Sequence, residues 1–385
     1  MNKILIPILA VMLVVAAAAP ALAVSPSTYT FQMAARMLTD IGWQQKSQEL
    51  TNNGSDDVGS WFLNLPGHSY LRARFFSVDK NVGGRVEIGL KSIDASATVS
   101  LRYAYGYWRV GRCRILAGQT DNWFGATSYA PKQYLGLQEN SHLLMFGWGY
   151  LWPGRVPQVQ LTYDTDKWGV QFALEGPRQN DNYFDDGGLT DTTYIFPRAS
   201  LTMMFRYRGL VTNPGFSFVH HKYEAGDTGA FDDAYNTWAV VLPIKFTTGP
   251  FTVKFQGHYG VNFATEYPFY SSTWTRPYRS GITSGDVEDT TIYGGMLAGE
   301  YSLGKLMITA GMGYENASND AWSGKNGYSK DENVRMGAFI AVPYQFTQNF
   351  GVHPEFSYYS YGDNPKTGKD MGNEWLLGVQ FRFVF

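Results

Sequence analysis

The chain has 385 residues, with 31 lysines plus arginines against 33 acidic residues and a formal net charge of −2. This balance excludes the strongly basic proteins that bind nucleic acid through phosphate contacts. One cysteine, Cys113, excludes an internal disulfide. Aromatic residues reach 16%, charged residues only 17%, and glycines number 42. Typical soluble domains carry about 25% charged residues, so the composition favours a β-rich protein in an unusual solvent.

Residues 1–23, MNKILIPILAVMLVVAAAAPALA, predict a secretory signal peptide. Lys3 precedes a short apolar run, and residues 21–23 form an A-x-A cleavage pattern. A transmembrane anchor is the alternative, but Pro7 and Pro20 interrupt the run, which is short for a span. We expect residues 24–385 to form a single domain.

The next feature in chain order is alternation with a period of two, which is typical of β-strands. In SYLRARFF, Leu71, Ala73 and Phe75 alternate with Arg72 and Arg74. The pattern predicts sixteen strands, at 28–44, 67–78, 84–92, 97–110, 112–120, 156–164, 168–176, 197–208, 214–224, 236–247, 250–263, 289–301, 305–316, 332–346, 350–361 and 372–385.

The strand at 97–110 shows how faces are assigned from this pattern. One face is predicted to carry the apolar and aromatic side chains and the other the remaining ones. The first set is Val99, Leu101, Tyr103, Tyr105 and Tyr107, and the second is Ser100, Arg102, Ala104 and Gly106. A soluble β-sandwich also has one dry face per strand. Aromatic residues near strand ends, such as Trp43, Trp168, Trp238 and Trp375, favour the girdles of a membrane barrel instead.

Connections between the predicted strands alternate between short and long. Short turns such as RVGR and TTGP alternate with long polar loops such as 178–194 and 265–289. Both termini fall on the short-turn side, as expected of an outer-membrane barrel. Residues 142–151 could form a seventeenth strand, but this would give an odd number and move later long loops to the wrong rim. We therefore assign 120–155 to one long loop.

The fold class predicted is all-β, a transmembrane antiparallel barrel of sixteen strands. A closed sheet pairs every backbone group, which lipid requires. Sixteen strands enclose more space than side chains can fill, so an aqueous channel remains. The polar faces must point inward, since an arginine or lysine at mid-depth in lipid costs about 2–4 kcal/mol.

A resemblance adds to this interpretation. The stretch SYLRARFF, then RVEIGL, then VSLRYAYGYWRVGRCRILAGQTDNWFG resembles the first strands of general-diffusion porins of Gram-negative outer membranes. The likeness covers the mature chain in architecture and is strongest in motif at 97–125 and in the last strand. It implies a homotrimer, and a third loop folded into the lumen as a constriction (120–155 here).

The same resemblance implies that basic wall residues face acidic residues on this loop. The wall offers Arg72, Arg74, Arg102 and Arg114, with Glu87 among them, whereas the loop offers only Asp121 and Glu139. This departs from an acid-rich loop and favours anions. In the alternative, the arginines pair with acids such as Glu87, Glu175, Glu300 or Glu355, which leaves little net field. The function predicted is passive diffusion of small hydrophilic solutes. A channel selective for organic anions or sugars is the alternative.

Other candidate sites carry weaker signals. Trp123, Phe124, Tyr129 and Tyr134 could stack sugars, although such residues more often pack a loop against the wall. His220 and His221 are adjacent in a strand, point to opposite faces and cannot share one metal. Asp181, Asp185 and Asp186 favour a solvated acidic loop over a calcium site. No catalytic or cofactor-binding motif, including CxxCH, stands out, so we predict no enzyme activity and no cofactor.

The C-terminal strand GNEWLLGVQFRFVF alternates up to the last residue. Phe381, Phe383 and Phe385 are expected to face lipid. The final phenylalanine resembles the terminal aromatic by which the outer-membrane assembly machinery recognises barrel clients. The expected location is the Gram-negative outer membrane, and the expected partners are its lipid and lipopolysaccharide, that machinery and two further copies of the chain.

Overall fold

The computed structural model describes residues 29–385 apart from 52–56, 94–95, 136–144, 177–189, 195, 226–231, 264–265, 268–277, 280–286, 321 and 323–328. The strands are β1 (Tyr29–Lys46), β2 (Val58–Ser77), β3 (Val82–Ile93), β4 (Ser96–Val110), β5 (Cys113–Thr120), β6 (Val156–Asp164), β7 (Trp168–Glu175), β8 (Thr190–Tyr194), β9 (Arg198–Tyr207), β10 (Leu210–Thr212), β11 (Gly215–Ala225), β12 (Asp232–Thr248), β13 (Phe251–Val261), β14 (Tyr278–Arg279), β15 (Val287–Glu288), β16 (Thr291–Leu303), β17 (Leu306–Ser318), β18 (Glu332–Ala341), β19 (Tyr344–Gln345), β20 (Phe350–Ser360) and β21 (Asn373–Val384). A helix at Gln48–Thr51 and a 3-10 turn at Thr127–Tyr129 complete the described elements.

The described strands form a closed antiparallel barrel of sixteen spans, as predicted. Three spans are each split into two strands that share neighbours, namely β8 with β9, β10 with β11, and β18 with β19. The small hairpin of β14 and β15 lies outside the barrel sheet. The barrel closes where β1 pairs with β21, from Arg36 opposite Val384 to Lys46 opposite Glu374. No helix among the described residues is long and apolar enough to cross a membrane.

The two faces of the sheet differ in chemistry. In β6, Val159 and Leu161 are each 44% exposed, whereas Gln158 and Gln160 are 5% and 1% exposed. Large exposed apolar side chains recur in this way around the barrel, and buried polar ones alternate with them. The apolar face is therefore the outer one, which suits lipid, and the polar face lines the interior.

β2 begins nine residues earlier than the sequence predicts, at Val58 rather than 67. Its first part pairs with the end of β1, where Trp43 lies opposite Trp61 and the two rings meet edge-on at 5.7 Å between centroids. The register between β2 and β3 shifts between Leu65 and Ser69. Pro66 lies at this shift and lacks a backbone N–H, so the alternation is interrupted there and the upstream part of the strand is missed.

β4 contains a bulge that corrects the predicted faces. Glu87 of β3 lies opposite Tyr103, but the next residue, Ile88, lies opposite Leu101. Arg102 is therefore the extra residue, and everything after it changes face. The prediction that Tyr103, Tyr105 and Tyr107 share the outer face of Leu101 was wrong, and these tyrosines point inward. Ala104 and Gly106 take the outer face.

Candidate functional site

The segment Asp121–Arg155, between β5 and β6, contacts inward-facing side chains along much of the wall. Hydrogen bonds join its described backbone to side chains on several strands of the wall. Trp123 N donates to Gln171 Oε1 (2.7 Å), Leu151 N to Gln256 Oε1 (2.6 Å) and Tyr134 N to Glu355 Oε2 (2.5 Å), while Lys254 Nζ donates to Ala130 O (2.8 Å) and Gln380 Nε2 to Tyr134 O (2.7 Å). The acceptors and donors on the wall run from β7 round to β21.

Apolar packing accompanies these hydrogen bonds. The segment's buried Met145, Phe146, Trp148 and Tyr150 form one cluster with wall residues that include Met296, Ala298, Phe339, Tyr359 and Leu376. A second cluster joins Phe124 and Leu151 to Ala239, Val241 and Ile292 of the wall. These wall positions are on the inner face and are apolar. One side of the barrel interior therefore has a core like that of a soluble protein.

A buried ion network lies on the packed side. Arg198 of β9 is fully buried and lies between Glu175 of β7 (2.5 Å) and Glu266, which follows β13 (3.3 Å). Arg198 Nη1 also donates to the backbone oxygen of Glu266 at 2.9 Å. Buried charges are stable only when paired and hydrogen-bonded in this way. The network ties the residues after β13 to the wall.

The strands on either side of the barrel seam border a cavity of about 400 Å³, called here the basic cavity. Its walls are β1 to β4 and β21 on one side and the segment Asp121–Arg155 on the other. The charged side chains that line it among the described residues are Arg36, Arg72, Arg85, Arg102, Lys132, Arg155, Arg382 and Glu87. Six arginines and a lysine thus surround a single lining carboxylate. Lys132 Nζ lies 3.2 Å from Glu300 outside the lining, so the arginines carry the excess positive charge of the cavity.

Glu87 is the centre of the basic cavity. Its Oε2 atom lies 2.6 Å from Arg72 Nε and its Oε1 atom 2.8 Å from Arg102 Nε, and Arg85 Nη2 also pairs with Oε2. The carboxylate is fully buried, and the three guanidinium groups are 11–19% exposed. One carboxylate shared by three guanidinium groups leaves this cluster with a net positive charge. Elsewhere in the interior, Glu175 pairs with Arg198, and Glu300 pairs with Lys132 and Lys254.

Two tyrosine rings separate the arginines. Tyr70 is contacted by Arg36 and Arg72, whose guanidinium carbons lie 4.6 and 4.2 Å from its ring centroid. Tyr103 is contacted in the same way by Arg85 at 3.7 Å and by Arg155 at 4.9 Å. Cation–π attraction of about 0.5–2 kcal/mol per contact favours this arrangement. It offsets part of the repulsion between like charges.

Asp121 joins the segment to this wall. It accepts a hydrogen bond from the Tyr103 hydroxyl and lies 3.5 Å from Arg155 Nε. Burial alone would lower the pKa of Arg155, but the charge of Asp121 and the contact with Tyr103 outweigh it and raise that pKa above its ordinary value. Arg155 therefore stays charged at the edge of the cavity.

The structure brings together only part of the predicted site. Arg72, Arg102 and Glu87 meet in the basic cavity, and Asp121 lies at its edge. Arg74 is exposed and does not line the cavity, and Arg114 lines a different one. Glu139 lies outside the described residues.

Sequence reasoning did not assign four arginines of the basic cavity to the site, which are Arg36, Arg85, Arg155 and Arg382. Arg36 and Arg382 lie beside the seam where the barrel closes, and the meeting of the two ends of the chain brings them to β2 and β3. Arg85 follows the short turn after β2, so the hairpin geometry of β2 and β3 was a usable signal for it. Arg155 lies in the predicted loop 120–155, where no alternation of side chains indicates the direction in which it points.

The aromatic residues of the segment mostly pack. Phe124 and Tyr129 are 1% and 2% exposed, and the Tyr134 ring packs against His353 at a tilt of 50°, with 4.2 Å between ring centroids. Packing therefore describes these three better than a sugar-stacking track, while Trp123 stays partly exposed. His221 is buried on the inner face, and its neighbour His220 bonds to Asn236. Within the described residues, no group of three His, Cys, Asp or Glu side chains could hold a metal, and Asp181, Asp185 and Asp186 lie outside those residues.

Solved structures share this architecture. The outer-membrane channel DcaP of Acinetobacter baumannii matches with a TM-score of 0.67 and 16% identity over 94% of this chain and 99% of that one. The anion-selective porin from Comamonas acidovorans matches with a TM-score of 0.60 and 9% identity over 93% and 100%. OmpF of Salmonella typhi matches with a TM-score of 0.54 and 10% identity over 92% and 97%.

The chain has the fold of the Gram-negative outer-membrane porins. No family model matches its sequence, and no curated protein does so either.

Proposed function

We propose that this protein is an outer-membrane channel for the passive diffusion of small hydrophilic solutes and ions, with a preference for anions. The observation that carries the proposal is the basic cavity, where six arginines and a lysine face one carboxylate. The packed side of the interior, filled by the segment Asp121–Arg155, directs solutes towards this positive wall. The segment thus acts as the constriction.

Electrostatics gives the direction of the preference. A narrow passage with low-dielectric walls focuses the field of its charges and raises the local concentration of the opposite ion. Charged rings of one sign select ions of the other sign in channels generally. Salt screens the effect over about 10 Å at 0.1 M ionic strength, so the preference weakens as salt rises. A diffusive role requires no catalytic group, and we propose no enzyme activity.

Reconstitution in a planar bilayer tests this function. We expect discrete conductance steps and, in a tenfold salt gradient, a reversal potential whose sign shows that chloride is more permeant than potassium. Absence of conductance from correctly folded protein would refute the channel. A reversal potential of the opposite sign would refute the anion preference and leave the channel standing.

We also propose a homotrimer in contact with outer-membrane lipid and lipopolysaccharide. Support comes from β1, β2 and β4, whose outer faces carry four of the five most exposed large apolar side chains among the described residues, namely Met33 (76%), Trp61 (74%), Val99 (72%) and Leu63 (70%). Such a contiguous apolar face suits packing against a neighbouring barrel. Cross-linking in mild detergent should give trimers, and migration as a monomer only would contradict the assembly.

Export by residues 1–23 is part of the same proposal. Removal of these residues leaves a mature chain that begins at Val24. N-terminal sequencing of protein isolated from outer membranes checks this directly. An intact Met1 in the membrane fraction would show that the segment is not a cleaved signal.

A further inference from the structure

A second cavity, called here the rim cavity, lies inside the barrel at the end with the short turns. Its volume is about 260 Å³. Arg109 lies near the end of β4, Arg112 lies in the turn that follows it, Arg114 lies on β5, and Arg206 lies near the end of β9. The rim cavity shares no lining residue with the basic cavity. Nothing in the proposed channel function requires it.

The rim cavity carries more positive charge than its own acid can balance. The lining carboxylate among the described residues is Asp164, and Arg206 occupies both of its oxygens, at 2.8 Å and 3.3 Å. Arg206 is held further by a 2.7 Å hydrogen bond to Thr165 O. This pair is thus already satisfied, which leaves the three other arginines to account for.

Those three arginines have no carboxylate within ion-pair distance among the described residues. Arg114 and Arg109 lie directly opposite each other in register, which places two like charges on adjacent strands. The Arg114 Nε atom is buried and has no hydrogen-bond partner in the described part of the chain. An anion in the rim cavity would offset the repulsion between these like charges.

Trp123 supplies an apolar wall to the same cavity. Its backbone N–H donates to Gln171 Oε1 at 2.7 Å, which fixes the residue against β7. Gly169 of β7 leaves room for the indole, since a Cβ atom there would lie 2.9 Å from Trp123 Cη2 and 2.7 Å from Asp164 Oδ1. The indole ring and the arginines thus face one small space.

We propose that the rim cavity binds a monocyclic aromatic carboxylate. A cavity of about 150 Å³ holds benzene, so 260 Å³ accommodates one ring and a carboxylate. The Arg114 guanidinium donates to the carboxylate with the fork geometry that this group prefers. The ring packs against Trp123, and stacking of this kind discriminates aromatic from aliphatic acids.

Calorimetric titration of the full-length folded protein in detergent tests the site, with benzoate, acetate and inorganic phosphate as probes. We expect benzoate to bind at least about tenfold more tightly than acetate. Arg114→Gln should weaken benzoate binding about tenfold, because a charge-assisted hydrogen bond is lost. Trp123→Leu should weaken it by a similar factor, and Trp123→Phe, which keeps a ring, should restore most of it.

Arg382→Gln is the matched control, because Arg382 lines the basic cavity and not the rim cavity. It should leave the benzoate affinity unchanged. Equal affinities for benzoate and acetate would overturn the proposal. So would an affinity that falls with Arg382→Gln but not with Arg114→Gln, since the anion would then lie in the basic cavity. Each variant is first shown to be folded by its heat-dependent mobility on gels.

The rim site and the anion preference of the channel are tested by independent measurements. Binding in detergent involves no ion gradient, whereas the reversal potential requires no bound aromatic acid. A cation-preferring channel that binds benzoate through Arg114 would refute the proposed selectivity alone. An anion-preferring channel whose benzoate affinity is unchanged by Arg114→Gln would refute the rim site alone.

Discussion

Gly149 of the segment Asp121–Arg155 lies against the backbone of Gly295 on β16, so closely that a Cβ on Gly149 would fall 2.2 Å from Gly295 O. Gly149 also has φ of +94°, a region that L-residues rarely adopt. A residue with no side chain thus allows the segment's backbone to lie directly on the wall. This contact makes the packing of the segment accessible to experiment.

Gly149→Ala should loosen the segment from the wall. We expect a larger single-channel conductance and a loss of stability of about 1–3 kcal/mol, because strain in the backbone adds to the steric clash. Thermal unfolding and bilayer recordings measure the two effects. Gly304→Ala is the control, since Gly304 has φ of +62° and no atom within 4 Å of the added Cβ. A conductance that Gly149→Ala leaves unchanged would contradict a constricting role for the segment.

Glu87→Gln should make the channel more selective for anions and less stable. The substitution removes the carboxylate that Arg72, Arg85 and Arg102 share. Breaking a buried pair by removal of one partner costs about 3–5 kcal/mol. Reversal potentials and unfolding temperatures report the two changes. Glu374→Gln is the control. Glu374 is also a buried carboxylate (2% exposed) but lies near the rim with the long loops, so its substitution should not shift the reversal potential.

Arg382→Gln should weaken the anion preference with little change in stability. Arg382 lines the basic cavity, and its Nε atom has no hydrogen-bond partner among the residues described. Its charge is therefore free to act on solutes, and its loss costs no more than about 0.5 kcal/mol in the folded state. Arg335→Gln, on β18 beside Trp148, removes a charge away from the cavity. Equal reversal potentials for the two variants would argue against a role for the basic cavity in selectivity.

Cysteine labelling can test the bulge in β4 in a Cys113→Ser background, which removes the one exposed native thiol. Tyr105→Cys should react with a charged, membrane-impermeant thiol reagent, and the reaction should lower the conductance. Ala104→Cys should stay unreactive, because that side chain faces lipid. The reverse pattern would show that the alternation in β4 is uninterrupted, as the sequence suggests.

The last residue closes the barrel seam. Phe385 N donates to Ala35 O at 2.9 Å and Ala35 N donates to Phe385 O at 3.1 Å. Deletion of Phe385 removes both bonds and should lower the folded fraction both in cells and on refolding into liposomes. Phe385→Ala keeps the backbone bonds, so we expect it to refold normally in liposomes and to fail only in cells if the aromatic ring is an assembly signal. Normal assembly of Phe385→Ala in cells would rule out that signal.

The spans and their order could be predicted from the sequence because alternation, turn length and the parity of strands are independent signals that agree. The basic wall could be located for the same reason, since Arg72, Arg102 and Glu87 fall on consecutive predicted strands. The bulge could not, because one extra residue at Arg102 leaves the local composition unchanged while reversing every side chain after it.

The packed side of the interior was also missed, although a signal exists. In WAVVL of β12, Ala239 and Val241 are apolar like Val240 between them. Both faces of this strand are therefore apolar, which indicates burial on both sides rather than one wet face. Similar runs in β16 and β18 mark the wall that the segment covers.

The bulge also bears on how such a channel can change over evolutionary time. An insertion within a strand ordinarily exposes charged groups to lipid and apolar groups to water. On β4 the exchanged residues from Tyr103 to Tyr107 tolerate either setting, because tyrosine combines an apolar ring with a polar hydroxyl, and Ala104 and Gly106 carry nothing that lipid would reject. Gain or loss of a single residue can therefore replace the lining of the passage at one step, while the number of strands and the positions of all loops stay the same.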